Sequence, residues 1–371
     1  MEGKGTIAIV TWGSAGGPFP RLTRWLAKGL ASKGRRVDII FLQDPRGIRT
    51  IDSWIREIGF HTRARWAVLP LLIYFRKTRP SLVITTPAHV IPATLIAGRL
   101  AGVPVVPWEQ TILSYDKPFL PFLTKHIVPV ARRTLYRWLA AIAAVSSDVA
   151  REVKSEYIGK QVFVLPNPCC VDCIREAAGP VQHNKGELCK LITVGRLIHQ
   201  KGIDVLLKAL HLLRKQGLRS WQLEILGDGP MRHQYQRMAV ELGLEGYVKF
   251  MGYVTNPYLR MVQSDIFVHA ARWEGFGMVI VEAMALGLPI VATSCPGGPK
   301  EILDHGRYGR LVPPDNPDAL AETLAELIHN PAERQRLSEA ARTRVEFYCP
   351  ERIAGHVLEI EEYVLNARTM R

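Results

Sequence analysis

Thr6-Ile-Ala-Ile-Val-Thr11 is an apolar run rich in β-branched residues, and it ends at the glycine-rich stretch Gly13-Ser-Ala-Gly-Gly17. Such a run is typical of a buried strand. The next segment, Phe19–Ser32, carries apolar residues at helical spacing, and residues 37–42 form a second apolar run. Strand, glycine loop, helix and strand in this order predict the opening of a doubly wound α/β domain.

The same alternation continues to residue 165. Further strands are predicted at residues 82–85, 103–106, 141–146 and 162–165, with helices at residues 92–100 and 148–155. We therefore expect a first Rossmann-like domain over residues 1–165. Residues 166–187 combine proline, glycine and cysteine with little periodicity, and we interpret them as a linker.

A second series of the same kind follows the linker. Its predicted strands are residues 191–194, 221–226, 248–250, 266–269, 289–292 and 309–312, and its predicted helices are residues 203–215, 231–242, 277–286, 317–329, 331–347 and 351–367. The fold class is therefore α/β, with two Rossmann-like doubly wound parallel sheets facing a cleft. Ligands of open parallel sheets bind beyond the carboxyl ends of the strands, so functional residues are expected there.

The length of 371 residues, with 47% hydrophobic and 22% charged residues, predicts two or three globular domains. This composition excludes a fibrous repeat, a small disulfide scaffold and a disordered tail protein. Residues 1–178 carry 25 Lys and Arg against 12 Asp and Glu, a net charge of +13, whereas residues 179–371 carry 23 against 22, a net charge of +1. A first half this basic favours an anionic partner.

The most apolar stretches are residues 66–75, 81–108 and 138–145. The first and third are shorter than the about 20 residues that a membrane-spanning helix needs, and the second contains four prolines, His89 and Arg99. No transmembrane helix is predicted. The N-terminus lacks the apolar core and cleavage site of a signal peptide, so the expected location is the cytoplasm.

The six cysteines are Cys169, Cys170, Cys173, Cys189, Cys295 and Cys349. In a cytoplasmic chain we expect them to be reduced. The spacing of Cys170 and Cys173 fits metal ligands, with His183 and Cys189 downstream, but no second tight pair follows. Free thiols in a linker are therefore favoured over a structural zinc site.

Two cations follow the predicted strand at residues 191–194. Arg196 comes after Gly195, and Lys201 lies just before the predicted helix at residues 203–215. Two cations beside a helix N-terminus make a site for a polyphosphate, because the helix dipole and the free amides add to their charges. A surface loop with two solvated cations is the alternative.

Two glutamates flank another predicted helix start. Glu274-Gly-Phe-Gly277 opens the helix at residues 277–286, and Glu282 lies in its second turn. The glycines expose backbone N–H groups that favour an anion. Glu282 can accept hydrogen bonds from both hydroxyls of a ribose, and Glu274 from hydroxyls of a sugar. Two solvent-facing glutamates are the alternative, but the intervening Gly-Phe-Gly makes the functional interpretation stronger.

These motifs resemble the retaining glycosyltransferases of family 4, which have the GT-B fold. The resemblance rests on Arg196, Lys201, the pair Glu274 and Glu282 with seven residues between them, Gly195-Arg-Leu, Gly227-Asp-Gly-Pro, residues 274–289, and Gly297-Gly298 with Glu301. It covers essentially the whole second half and, in the first half, the layout and Gly16-Gly17. By this resemblance the donor domain spans residues 188–350, and the C-terminal helix, residues 351–371, packs back on the acceptor-side domain.

The resemblance implies a nucleotide-sugar donor, UDP-linked by expectation from the family. By it, Arg196 and Lys201 bind the diphosphate and stabilise the leaving group, Glu282 binds the ribose and Glu274 contacts the donor sugar. The remaining implied contacts are those of Gly275, Phe276 and Gly277 with sugar and phosphate, and of Gly16 and Gly17 with the diphosphate or the acceptor. Fixed cations can replace a metal ion, and the sequence has no Asp-x-Asp pair, so neither a metal nor another cofactor is expected. No protein nucleophile is assigned.

One position departs from the family pattern. Many relatives carry a histidine after the strand that corresponds to residues 103–106, whereas this chain has Gln110 there. Glu109 is an alternative polar group at the sugar side. His89 lies nearby in the sequence and is as well explained as a loop histidine.

Apolar and aromatic runs flanked by cations lie in the basic half. They are residues 66–75 before Arg76, Lys77 and Arg79, and residues 118–123 before Lys125, His126, Arg132, Arg133 and Arg137, with Tyr136 and Trp138. Such runs suit an anionic bilayer, although core helices with basic outer faces have the same pattern. We therefore expect a lipid-linked or cell-surface glycan precursor as acceptor and a peripheral position on the inner face of the cell membrane.

Three other functions remain open. A dinucleotide oxidoreductase is suggested by Gly13-Ser-Ala-Gly-Gly17 and Asp44, but Gly-x-Gly-x-x-Gly is not satisfied. A basic membrane- or nucleic-acid-binding protein without catalysis is suggested by charge alone, and no nucleic-acid motif is present, so nucleic acid is not an expected partner. A sugar-nucleotide epimerase shares the architecture but needs an acid/base pair that the sequence does not identify.

Overall fold

The computed structural model describes residues 5–14, 17–116, 132–180 and 188–369. The chain divides into two compact units. The first unit comprises residues 1–168 together with 348–371, and the second unit comprises residues 169–347. Each unit contains a sheet that is wholly or mainly parallel, so the predicted α/β class with two parallel-sheet domains is confirmed.

The strands are β1 (Ile7–Thr11), β2 (Val37–Phe41), β3 (Gly47–Thr50), β4 (Ile55–Gly59), β5 (Leu82–Thr85), β6 (Val105–Glu109), β7 (Ala141–Ala144), β8 (Gln161–Val164), β9 (Cys189–Val194), β10 (Trp221–Leu226), β11 (Val248–Gly252), β12 (Ile266–His269), β13 (Ile290–Thr293) and β14 (Arg310–Val312). The helices are α1 (Phe19–Ser32), α2 (Val68–Thr78), α3 (Ile91–Ala101), α4 (Leu113–Asp116), α5 (Ser147–Glu156), α6 (Val171–Ala178), α7 (Ile203–Lys215), α8 (Arg232–Glu241), α9 (Tyr258–Met261), α10 (Met278–Ala285), α11 (Pro299–Ile302), α12 (Pro317–His329), α13 (Pro331–Val345) and α14 (Pro350–Thr369).

Among the described residues, the first unit has an eight-stranded sheet in the order β3-β4-β2-β1-β5-β6-β7-β8. All neighbours pair in parallel except β3, which runs antiparallel to β4. The sequence predicted neither β3 nor β4, so this antiparallel edge strand was not expected. All four residues of β3 are exposed, so no buried apolar run marks that strand in the sequence.

The core of the first unit lies where α1 and α14 pack on the sheet. The two helices approach closely at Gly29, where an added Cβ would lie 2.0 Å from the carbonyl oxygen of Pro350. Arg35 and Glu361 form a buried ion pair, with Arg35 Nη2 2.6 Å from Glu361 Oε1. These contacts hold the last helix of the chain on the first unit.

The second unit has a six-stranded parallel sheet in the order β11-β10-β9-β12-β13-β14. Its central strands are apolar and buried, as expected for strands covered on both faces. Because all strands run parallel, the loops after β9, β12 and β13 leave the sheet at one edge.

The predicted linker contains a regular helix. Helix α6 lies in the second unit and buries Val171, Ile174 and Ala178. Cys170 and Cys173, at its start, form a disulfide, so the expectation of reduced cysteines is wrong for this pair. In the described part of the chain no helix has the length and apolar character needed to cross a bilayer.

Candidate active site

Three loops meet beyond the carboxyl ends of strands in the second unit. They are residues 195–202 after β9, residues 270–277 after β12 and residues 294–298 after β13. The N–H of Arg272 donates to the carbonyl of Gln200 at 2.8 Å, and the N–H of Glu274 donates to the carbonyl of Pro296 at 2.9 Å. The loop that carries Glu274 is therefore fixed from both sides.

Arg272 anchors the same loop through its side chain. Its guanidinium lies 2.6 Å from a carboxylate oxygen of Asp204 and 2.7 Å from one of Asp315. It also donates to the carbonyl of His199 at 2.8 Å. Burial alone favours the neutral acid, but the hydrogen bond and charge of Arg272 lower the pKa of Asp204 below its usual value.

Glu274 contacts two polar side chains, one from the loop after β9 and one from the end of β12. Glu274 is 7% exposed, and its Oε1 atom accepts hydrogen bonds from Lys201 Nζ and, at 2.9 Å, from His269 Nε2. The aliphatic stem of Lys201 lies against Gly195, where an added Cβ would lie 3.7 Å from it. His269 is the last residue of β12. The ends of β9 and β12 thus place a cation, an imidazole and a carboxylate in contact.

The protonation state of this cluster follows from its contacts. Burial favours the neutral acid, but the charge of Lys201 and the hydrogen bonds from His269 and Lys201 outweigh it and lower the pKa of Glu274 to about 2. Glu274 is therefore a carboxylate at neutral pH that accepts hydrogen bonds and supplies no proton. On the neighbouring loop, burial raises the pKa of the Cys295 thiol to about 12, so Cys295 stays protonated.

The glycine-rich segment after Glu274 leads directly into α10. Gly275, Phe276 and Gly277 are buried, and Gly277 precedes the helix with φ +100°. Gly297 of the adjacent loop has φ +113°, and an added Cβ there would lie 1.8 Å from the carbonyl oxygen of Glu274. The two loops therefore pack backbone against backbone, which requires glycine. The start of α10 offers N–H groups and a positive dipole end to an anion.

The two other predicted donor-side residues lie on the same elements. Glu282 is in the second turn of α10 and is 4% exposed. Arg196 directly follows Gly195, and its exposed side chain forms no ion pair with any residue that the structure describes. Arg196 therefore shares a loop with Lys201, and Glu282 lies on the helix that follows Glu274.

The predicted residues of the first unit are placed differently. Gly16 lies outside the described residues, and Gly17 is exposed with φ +71°. Glu109 ends β6 and is 3% exposed, its carboxylate accepting a hydrogen bond from the Tyr136 hydroxyl and pairing with Arg132 at 3.0 Å. These core partners enclose the carboxylate, which argues against the sugar contact considered for Glu109.

Burial of the same two partners also corrects the predicted basic face. Arg132 and Tyr136 were assigned to a membrane-facing surface, but they are 7% and 0% exposed. That part of the prediction is wrong. Residues 118–123, Lys125 and His126 of the same prediction lie outside the described residues.

Gln110 follows Glu109 at the carboxyl edge of the first sheet. Its Oε1 accepts a hydrogen bond from Asn167 Nδ2 at 3.0 Å. Gln110 Nε2 and Asn167 Oδ1 are buried and have no hydrogen-bond partner among the described residues. His89 packs edge-on against Trp12, with ring centres 4.8 Å apart, and burial lowers the pKa of its imidazole.

Residues 176–344 match the family model of glycosyl transferases group 1. An uncharacterized glycosyltransferase of Haemophilus influenzae is 33% identical over 174 residues, which cover 46% of this chain and 49% of that protein. A GDP-mannose-dependent alpha-(1-6)-phosphatidylinositol monomannoside mannosyltransferase of Mycolicibacterium smegmatis is 30% identical over 235 residues, 58% of this chain and 61% of that protein. The chain spans about half the length of several curated relatives that it matches.

Solved structures match over almost the whole chain. Sucrose-phosphate synthase from Thermosynechococcus elongatus aligns with a TM-score of 0.75 and 20% identity, covering 98% of this chain and 100% of that one. HepE from Anabaena, solved with UDP and glucose, aligns with a TM-score of 0.74 and 19% identity, covering 96% and 99%. The predicted GT-B fold is confirmed.

The amino-acid sequence did not single out His269 or Arg272 as candidate site residues. His269 is a polar residue at the carboxyl end of an otherwise apolar strand, and that position was a usable signal. The sequence contains no comparable signal for Arg272, because its partners Asp204 and Asp315 are distant in the sequence. Within the described ranges, no group of three or more His, Cys, Asp or Glu side chains could hold a metal ion.

Proposed function

We propose that this chain is a retaining, metal-independent glycosyltransferase that moves a sugar from a nucleotide-sugar, preferably a UDP-sugar, to a lipid-linked or cell-surface glycan precursor. The observation that carries the proposal is the contact of Lys201 and His269 with the buried carboxylate of Glu274, beside the glycine-rich start of α10. The group 1 match over residues 176–344 supports the same reaction class.

The charges on one loop suit the leaving group. A nucleotide-sugar departs as a nucleoside diphosphate, and preorganised cations stabilise the charge that develops on it. Lys201 and the exposed Arg196, five positions apart in the chain, supply two positive charges. The amides of Gly275 and Gly277, just before α10, add hydrogen-bond donors. These cations take the place of a metal ion in the proposal.

Glu274 and Glu282 bind different parts of the nucleotide-sugar donor. Glu282 binds the ribose, because a carboxylate accepts hydrogen bonds from both hydroxyls of a diol. Glu274 contacts the donor sugar as a hydrogen-bond acceptor, since its low pKa keeps it ionised and unable to protonate the leaving group. No nucleophile is assigned: the Cys295 thiol stays protonated, and Glu274 is held by Lys201 and His269.

An apolar stripe on the first unit suits a membrane-bound acceptor. The stripe consists of Trp66, Leu69 and Ile73, which are 68%, 63% and 60% exposed and lie on or just before α2. Their spacing of three and four residues places them on one helix face. The exposed cations beside it are Arg65, Arg76 and Lys77. The proposal therefore includes a peripheral position on the inner face of the cell membrane.

Calorimetric titration with UDP, GDP, ADP and NAD tests the donor site at physiological ionic strength, where loose charge attraction is screened. We expect saturable UDP binding that Lys201→Ala weakens at least about tenfold, which is about 1.4 kcal/mol. Lys215→Ala is the matched control, since Lys215 is an exposed lysine at the end of α7, and it should bind like the wild type.

Preference for GDP would keep the reaction class and change the donor, in line with the name of the mycobacterial relative. Binding of NAD alone, or of no nucleotide, would contradict the proposal. With the accepted donor, the product anomer determined by NMR should match the donor anomer. Turnover should persist in EDTA, and a loss that added magnesium or manganese restores would contradict metal independence.

A further inference from the structure

His269 is a buried histidine with one side-chain contact. It ends β12 and is 4% exposed, and its Nε2 lies 2.9 Å from Glu274 Oε1. Its Nδ1 is buried and has no hydrogen-bond partner among the described residues. Because an ionised carboxylate only accepts hydrogen bonds, His269 Nε2 must carry a proton and donate to Glu274 Oε1. The polar contact that orients this ring is therefore the one with Glu274.

The contacts of Glu274 are unequally divided between its two oxygens. Lys201 Nζ and His269 Nε2 both bind Oε1. No contact with a described residue falls on Oε2, and this oxygen is not among the buried atoms that lack a partner. The protein thus holds Oε1 of Glu274, whereas Oε2 is available to accept a hydrogen bond from a ligand.

The two donors to Oε1 differ in what else they can bind. Lys201 carries a flexible charged side chain that is 21% exposed, whereas the side chain of His269 is 4% exposed and fixed by its strand. A diphosphate beside this loop attracts the ammonium of Lys201. When Lys201 turns toward the diphosphate, only His269 still holds Oε1.

We propose that His269 is a positioning residue for sugar transfer: it fixes Oε1 of Glu274 so that Oε2 faces a hydroxyl of the donor sugar while Lys201 engages the diphosphate. This inference rests on the proposed function, because it assigns Lys201 and Glu274 to the two parts of a nucleotide-sugar. It predicts that His269 affects turnover more than nucleotide binding, since the residue contacts neither ligand itself.

Steady-state transfer kinetics and nucleotide titration of His269→Leu and His269→Gln test the role. His269→Leu removes the donor, and we expect kcat to fall at least about tenfold with nucleotide Kd unchanged. The glutamine amide N–H can replace Nε2–H, so His269→Gln should recover most of kcat. The matched control is His211→Leu, because His211 is a half-buried histidine of the same unit whose Nδ1 contacts the Leu242 carbonyl and not Glu274. Wild-type kcat in His269→Leu, or no recovery in His269→Gln, would overturn the positioning role.

Thermal unfolding provides a readout that needs no substrate. His269→Leu should lower Tm by about 2–4 °C in the wild-type background and by clearly less in a Glu274→Ala background, because the shared contact is already lost. Equal shifts in both backgrounds would overturn the contact itself. If the shifts differ but no nucleotide-sugar supports transfer by the wild type, the contact stands, and the proposed function fails together with the role that rests on it.

Discussion

The two units share an architecture but differ at the carboxyl edges of their sheets. In the second unit, backbone hydrogen bonds and the ion pairs of Arg272 and Glu274 tie three loops together. In the first unit, the hydroxyls of Thr11 and Thr86 and the amide nitrogen of Gln110 are buried without a described partner. Unpaired buried polar groups destabilise a fold by about 1–3 kcal/mol each, so they are usually explained by a ligand, water or a function.

This difference suggests a division of work. An edge whose ionic side chains are already paired, as Lys201 and Glu274 are, is preorganised, and it suits a ligand part that is always the same, such as a diphosphate. At an edge with unpaired polar groups, the bound ligand supplies the missing hydrogen-bond partners. We therefore expect substitutions of the paired charges at the edge of the second unit to lower turnover strongly with any substrate, and substitutions at the edge of the first unit to have smaller effects that depend on the substrate.

Comparing Lys201→Ala with Gln110→Ala tests this division most directly. Loss of a preorganised charge at the leaving group is expected to lower kcat by about 10²–10³-fold, or about 2.7–4 kcal/mol. Gln110→Ala removes one amide whose Oε1 is bonded to Asn167, and we expect a loss below about tenfold. Transfer rates with one donor and one acceptor measure both.

Far-ultraviolet circular dichroism of both variants controls for folding. Near-wild-type turnover in Lys201→Ala would contradict the assignment of Lys201 to the active site. A larger loss of kcat in Gln110→Ala than in Lys201→Ala would contradict this division, because turnover would then depend more on the edge of the first unit than on that of the second.

The ionisation of Glu274 predicts a pH-dependent stability of the second unit. Its pKa falls from 4.5 to about 2 on folding, so it stabilises the fold above pH 4.5 and this contribution disappears as the pH falls toward 2. Glu274→Gln lacks the contribution. At pH 7 the variant should have a lower free energy of unfolding than the wild type, by at most about 3 kcal/mol, and the gap should narrow between pH 5 and pH 3.

Urea unfolding at a series of pH values measures this gap. Glu241→Gln serves as the control, since Glu241 is an exposed glutamate at the end of α8 in the same unit, and its gap should stay small at every pH. A gap for Glu274→Gln that does not change between pH 7 and pH 3 would show that Lys201 and His269 do not hold the carboxylate in its charged form.

The sequence predicted the regular elements well where apolar periodicity was strong. Helix α1 at Phe19–Ser32, helix α7 at Ile203–Lys215 and strand β12 at Ile266–His269 have the predicted bounds. The edge hairpin of β3 and β4 was missed because β3 is exposed throughout. Helix α6 was missed because proline and cysteine at its start suggested a linker, and its burial depends on packing against α9 and α10.

The candidate site was predictable to a smaller extent. Glu274 and Lys201 were both identified, but their mutual ion pair was not, because residues 73 positions apart meet only through the order of β9 and β12 in the sheet. Glu109 was considered as a sugar contact because it lies next to Gln110, the position at which many relatives carry a histidine. Its burial by Arg132 and Tyr136 depends on a segment more than 20 residues away.

The smallest expected effect concerns the apolar stripe of the first unit. Leu69→Ser removes apolar surface from an exposed helix face, so it should leave the fold intact and weaken binding to anionic vesicles by about 1–2 kcal/mol, about five- to thirtyfold. Arg76→Gln should weaken it by about 1 kcal/mol and reduce its salt dependence, because Arg76 acts through charge. Sedimentation with vesicles of phosphatidylglycerol and phosphatidylcholine, or of phosphatidylcholine alone, measures both.

The control for this last comparison is Ile158→Ser, because Ile158 is 90% exposed in the same unit and lies outside the stripe. If Ile158→Ser weakens vesicle binding as much as Leu69→Ser, the attraction is a general property of the basic first unit and not of α2. If Arg76→Gln weakens vesicle binding and Leu69→Ser does not, the apolar stripe does not insert into the bilayer, and the protein binds the bilayer by electrostatic attraction. If binding requires Leu69 and occurs only with anionic vesicles, the first unit binds the membrane, which agrees with donor binding by the second unit.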